Sequence, residues 1–99
     1  MELEDAFDRT TLEILDFLLD NPVMDYSKKE IAELSGVSRT TVHRKWDILE
    51  GLELVEETRK YQNTQLYSLD QDSEIVKLLG QLMDEVERRE LVEVDKVPA

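Results

Sequence analysis

Arg39, Thr40, His43, Arg44 and Lys45 crowd into a short run that begins at Ser38, and their guanidinium, hydroxyl, imidazole and ammonium groups are hydrogen-bond donors with no acid among them. Donors repeated along one helix suit two kinds of acceptor: phosphate oxygens and the base edges exposed in a major groove. Lys28 and Lys29 precede that run and Arg59 and Lys60 follow it, so basic groups recur through the middle of the chain. Other chemistries find few residues. The absence of cysteine removes disulfides, thiolate metal ligands and thiol nucleophiles, and the single histidine, His43, cannot build a multi-His metal site. No glycine-rich phosphate loop and no nucleophile spaced with a base are present, so neither an enzyme, nor a cofactor, nor a metal is expected.

The net charge of −12 opposes a phosphate partner, because an acidic protein is repelled by a polyanion. Its distribution changes that. Between Ser27 and Leu66 the bases Lys28, Lys29, Arg39, Arg44, Lys45, Arg59 and Lys60 balance the acids Glu30, Glu33, Asp47, Glu50, Glu53, Glu56 and Glu57, which leaves the whole deficit in the flanks. Two origins of the acidity stay open. One is a salt-loving host, where molar salt screens self-repulsion within roughly 3 Å; the other is an acidic back that leaves one near-neutral face for an anion.

These donors need elements to position them. From Asp8 to Leu19, with Asp8 as N-cap, Leu12, Leu15, Leu18 and Leu19 recur at helical spacing, and Asn21-Pro22 ends the helix. Ser27-Lys28-Lys29-Glu30 is a capping box, which opens a short second helix with Ile31, Ala32 and Leu34 on its buried side and Gly36 at its end. Ser38 caps a third helix over residues 39–50, in which Val42, Trp46 and Leu49 mark one apolar face, and Gly51 closes it. Two runs of strand formers, residues 54–59 and 65–69, flank the polar tract Lys60-Tyr61-Gln62-Asn63-Thr64, so a hairpin with a longish loop is predicted, its tip over residues 59–65. Asp70 to Ser73 offers caps for a last helix over residues 72–90, and residues 91–99 read as a frayed tail.

A chain of 99 residues with 40% hydrophobic content is expected to form a single domain, with core elements over residues 8–69, its stability aided by a partner chain. The longest apolar runs fall far short of the roughly 20 residues a membrane span needs. The acidic start, Met1 to Asp5, is unlike a basic secretory leader. A cytoplasmic protein without a membrane partner is expected, and no segment is long enough for a separate ligand domain.

The order helix, short helix, glycine turn, helix, hairpin, helix resembles the winged helix-turn-helix regulators of the ArsR and MarR type, especially small archaeal relatives. The resemblance rests on EIAELSGVSRTTVHRKWDILEGLELVEE, Glu30 to Glu57, and on the LYSL of Leu66 to Leu69. The fold class it implies is mainly α with a two-stranded β wing. The function it implies is sequence-specific binding of double-stranded DNA by a homodimeric transcription regulator. Two departures stand out: the usual Gly-Leu before the first wing strand is Glu53-Leu54 here, and Trp46 stands where leucine is usual. The cysteine and histidine ligands of metal-sensing relatives are absent.

Rotation by about 100° per residue from Val42 turns Thr40, His43, Arg44 and Asp47 away from the core. Arg39 and Thr40 then occupy the first turn, where base contacts are made, and Arg44 reaches a guanine edge or a phosphate. Ser38 and Thr41 suit phosphate oxygens, while Lys28, Lys29, Arg59 and Lys60 suit the flanking backbone. Lys45 completes the set. Plainer readings stand beside these: Arg39, Arg44 and Lys45 as a solvated helix face, His43 as a surface residue, Trp46 as core, and Tyr61 and Tyr67 as wing packing. Ile75, Leu78, Leu79, Leu82, Met83 and Val86 form a stripe expected to be a dimer interface, unless the last helix folds back on its own domain. A protein-interaction module without specific DNA binding is the alternative function, and the sequence leaves open whether a small-molecule effector exists.

Overall fold

A computed structural model describes the backbone of residues 1–96 and the side chains of residues 1–90. The elements in chain order are α1 (Leu3–Ala6), α2 (Arg9–Asp20), α3 (Lys28–Ser35), α4 (Arg39–Gly51), β1 (Val55–Tyr61), β2 (Thr64–Leu69) and α5 (Glu74–Lys96). The four-residue α1 has no counterpart in the hydrophobic pattern. It contributes one buried side chain, Ala6, too little to leave a periodic signal.

Local chemistry sets the helix starts. Asp8, Ser27 and Ser38 each accept a hydrogen bond from the amide three residues on, at 2.9, 3.1 and 3.2 Å. At Ser27 the Glu30 carboxylate returns to the serine N–H at 3.0 Å, which completes the capping box. Ser73 caps α5 in the same way, accepting from the Val76 amide at 3.4 Å.

The core forms where α2, α3 and α4 meet the hairpin. Ile14, Leu18, Ile31, Val42, Leu49 and Leu54 are fully buried, each contributing about 1.5–3 kcal/mol from removal of apolar surface. Two leucines differ from the sequence reading. Leu34 is 57% exposed and Leu12 46% exposed, because the buried sides of their helices centre instead on Ile31 and Ala32 and on Thr11, Ile14, Leu15 and Leu18.

The hairpin also differs from the expected long loop. β1 and β2 pair antiparallel with Tyr61 opposite Thr64, so the turn holds only Gln62 and Asn63. Both have positive φ, 49° and 67°, as a type I′ turn requires. Glutamine in that position gives no turn signal, and the strands therefore run further than their composition showed. A bulge between Glu57 and Lys60 shifts the register. On the other edge of β2, Tyr26 and Tyr67 exchange two backbone hydrogen bonds of 2.8 Å, tying the loop before α3 to the wing.

α5 leans on the core near its start, where Val76 is buried and Ile75 and Leu79 pack against the cluster. Its backbone continues as helix to Lys96, and residues 97–99 of the tail expected to fray lie outside the described part. Among the described residues no helix is long and apolar enough to cross a membrane.

The exit from α4 explains one departure noted in the sequence. Glu53 has φ 56°, and the Leu54 amide reaches back to the Leu49 carbonyl at 2.9 Å, the left-handed helix stop that glycine usually serves. Replacing Glu53 by Gly removes a strained side chain and is expected to stabilise the protein by roughly 0.5–1 kcal/mol, whereas Gly36→Ala, at φ 79°, destabilises it by about 1 kcal/mol. Urea denaturation midpoints check both; a Glu53→Gly variant less stable than the parent refutes the assignment.

Candidate nucleic-acid interface

The Gly36-Val37-Ser38 turn sets α4 against α3. Gly36 takes φ 79° and its amide returns to the Ala32 carbonyl at 3.1 Å, as does the Val37 amide at 3.2 Å. Val42, Trp46 and Leu49 bury one side of α4, and the opposite side, with Arg39, Thr40, His43, Arg44 and Asp47, is exposed. Ser38 and Thr41 are joined by a hydroxyl hydrogen bond of 2.8 Å at the head of that helix.

The exposed side of α4 borders an open cleft of about 510 Å³, lined by Ser27, Lys28, Lys29, Arg39, His43, Asn63, Thr64, Gln65 and Tyr67. Three elements contribute: the first turn of α3, the first half of α4, and the tip of the hairpin with β2. Arg39 and His43 stand one turn apart on one wall. Asn63, Thr64 and Gln65 form the other, where the Gln65 amide donates to the Arg59 and Leu66 carbonyls at 3.2 and 3.0 Å. The lining carries three fixed positive charges and no carboxylate. In a chain of net charge −12 that is a strong local reversal.

The structure brings together Lys28, Lys29, Arg39 and His43 and sets Thr40 and Arg44 on the adjoining exposed surface of α4. Lys60 is exposed on β1. Lys45 departs from the group. Its ammonium is bonded to the Asp8 carboxylate, and its side chain is only 18% exposed, because residue 45 faces the start of α2. Arg59 remains at the surface but is held by Asp25, Nε to Oδ2 at 3.0 Å, and the same oxygen accepts from Thr58 Oγ1 at 2.7 Å. Asn63, Thr64 and Gln65 fall in the expected hairpin tip but were not among the anticipated contact residues; an asparagine between two strand runs was the available signal. Asp25 gave none, since its partners lie more than thirty residues away.

A helix pair joined by a tight glycine turn, with a two-stranded hairpin forming the second wall of its cleft, decides the fold. The chain carries a winged helix-turn-helix. Residues 7–50 match the sequence model of the family described as winged helix-turn-helix DNA-binding. No curated protein matches the chain in sequence. Among solved structures it is similar to NolR from Sinorhizobium fredii, with 27% identity, TM-score 0.63, and 83% of this chain and 77% of that chain covered. It is also similar to the homodimeric winged helix-turn-helix DNA-binding domain of Mb0332 from Mycobacterium bovis, a possible ArsR-family transcriptional regulator, at 26% identity, TM-score 0.63, covering 88% and 76%. MepR, a transcription regulator of the Staphylococcus aureus multidrug efflux pump MepA, shares the fold at TM-score 0.73 and 19% identity, covering 97% and 70%. The expected winged helix-turn-helix fold is borne out, and the similarity to Mb0332 agrees with the resemblance to ArsR-type regulators.

Asp8, the N-cap of α2, links that helix electrostatically to α4 through Lys45. The Lys45 ammonium, and then the Thr11 amide, hold its carboxyl down at about 2. A carboxyl depressed in the folded state adds stability above its unfolded pKa of about 3.9, and that stability is lost as pH falls toward 2. The side chain is 33% exposed, so solvent screens much of the effect. Asp8→Ala, which removes both cap and ion pair, is expected to destabilise the protein by about 1–2 kcal/mol at neutral pH, with the difference shrinking on acidification below pH 4. Urea unfolding of both proteins across that range measures it, and a difference independent of pH refutes the ion-pair contribution.

Proposed function

We propose that the protein is a transcription regulator that binds double-stranded DNA as a homodimer, with α4 in the major groove and the wing along the flanking backbone or minor groove. The reading is carried by the carboxylate-free cationic cleft beside α4 in an otherwise strongly acidic chain. Arg39, Thr40, His43 and Arg44 face base edges; Lys28, Lys29, Ser38, Thr41 and Lys60 face phosphates, while Arg59 is engaged by Asp25. Lys45 belongs to the α2 contact instead. Residues 1–99 act as one domain in the cytoplasm.

The dimer assignment is supported by α5. Leu78, Leu82 and Val86 are 57%, 57% and 49% exposed at successive turns, beside the partly buried Ile75, Leu79 and Met83. A second copy covers that stripe, and the homodimeric state of the similar Mb0332 domain supports pairing of two copies. Two-fold symmetry places half-sites about one helical turn, roughly 34 Å, apart.

Gel shifts against genomic fragments across a salt series are expected to show retention that weakens steeply as salt rises. No retention at low salt overturns the proposal in favour of a protein-interaction module. Arg44→Ala is expected to cost about 1–3 kcal/mol of affinity and to relax preference at one base pair, read by selection from random duplexes; uniform weakening reassigns Arg44 to a phosphate. Leu82→Glu places a charge in the α5 stripe and is expected to halve the mass found by light scattering. A parent protein that is monomeric at micromolar concentration overturns the dimer.

A further inference from the structure

Lys28 is held unlike the other bases of this face. Its ammonium lies 4.8 Å from the ring centroid of Trp46 and 5.6 Å from that of Tyr67. The two rings meet edge to face with centroids 4.7 Å apart. Both are buried, while Lys28 is half-buried and opens onto the cleft.

The contrast with Lys45 and Arg59 is instructive. A carboxylate that orders a cation also cancels its field, as Asp8 does for Lys45 and Asp25 for Arg59. The quadrupole of an aromatic face orders the cation and leaves its full charge for another partner. Among the described residues Lys28 makes no ion pair with a carboxylate. Its near neighbour Glu30 is occupied with the Ser27 amide. Lysine has much rotamer freedom to lose on binding, and ordering it beforehand reduces that loss.

We propose that Trp46 and Tyr67 are positioning residues for the DNA interface, holding the Lys28 ammonium in the cleft as a pre-ordered, un-neutralised contact for a backbone phosphate. This rests on the DNA-binding reading above. It gives the tryptophan that replaces the usual leucine a task beyond filling the core.

The test is binding of the full chain to a nonspecific duplex of about 30 bp at low salt and across a salt series, because phosphate contacts are sequence-independent. Lys28→Met is expected to weaken binding about 5- to 10-fold and to make the salt slope shallower by about 1. Lys28→Arg keeps charge and ring contact and is expected to stay within about 2-fold of the parent. Trp46→Phe keeps an aromatic ring in the core but a weaker quadrupole: about 2- to 3-fold weaker binding with the slope unchanged, and no further loss when added to Lys28→Met. Trp46 is the sole tryptophan, so the emission of the free protein is expected to change in Lys28→Met and not in Lys29→Met. Additive losses for Trp46→Phe and Lys28→Met, or an unchanged slope in Lys28→Met, overturn the positioning role while leaving DNA binding intact. Failure of the parent protein to bind any duplex at low salt overturns the DNA reading and this role together.

Discussion

The packing of Trp46 against Tyr67 joins the two walls of the cleft. Trp46 sits on the buried side of α4 and Tyr67 on β2, and their edge-to-face contact at 4.7 Å fixes the distance between recognition helix and wing. Aromatic pairs of this kind contribute about 0.5–1.5 kcal/mol beyond the area they bury. Tyr67 also exchanges backbone hydrogen bonds with Tyr26, so the same residue anchors the loop that leads into α3. α4, β2 and the loop leading into α3 thus meet at one contact point, which sets the spacing of the donors along the cleft.

Around it the structure sorts its bases by how each is ordered. Lys45 and Arg59 are held by carboxylates and act chiefly within the fold, one linking α4 to α2 and the other linking β1 to the loop before α3. Lys28 is held by rings, and Lys29 and Arg39 project from helix first turns into the cleft. An acidic protein that is to meet a polyanion needs this division. Bases neutralised internally give no attraction at a distance, so those facing the cleft must be kept apart from the acids that dominate elsewhere.

Much of this was legible in the sequence. Capping residues at Asp8, Ser27 and Ser38, and apolar spacing at Val42, Trp46 and Leu49, place the helices correctly, because hydrogen bonding to helix-end amides and 3.6-residue periodicity are local properties. The partition of charge between the central segment and its flanks is likewise a property of the sequence alone. The Glu53-Leu54 departure marked the position where the backbone turns left-handed, though not that Glu53 would adopt it.

What only the tertiary structure decided is which cations are left for a partner. Lys45 carries the same side chain as Lys28 and adjoins Arg44 in sequence, yet it turns to Asp8, thirty-seven positions away, whereas Lys28 turns to rings on α4 and β2. Such pairings depend on which elements come together, and no local pattern encodes them. The two-residue turn at Gln62 and Asn63 was decided in the same way, by strand pairing that overrode weak turn propensity. Residue types and spacing thus determined a winged helix with basic groups near its recognition helix; the packing of Trp46, Tyr67, Asp8 and Asp25 determined which of those groups keep their charge for the cleft.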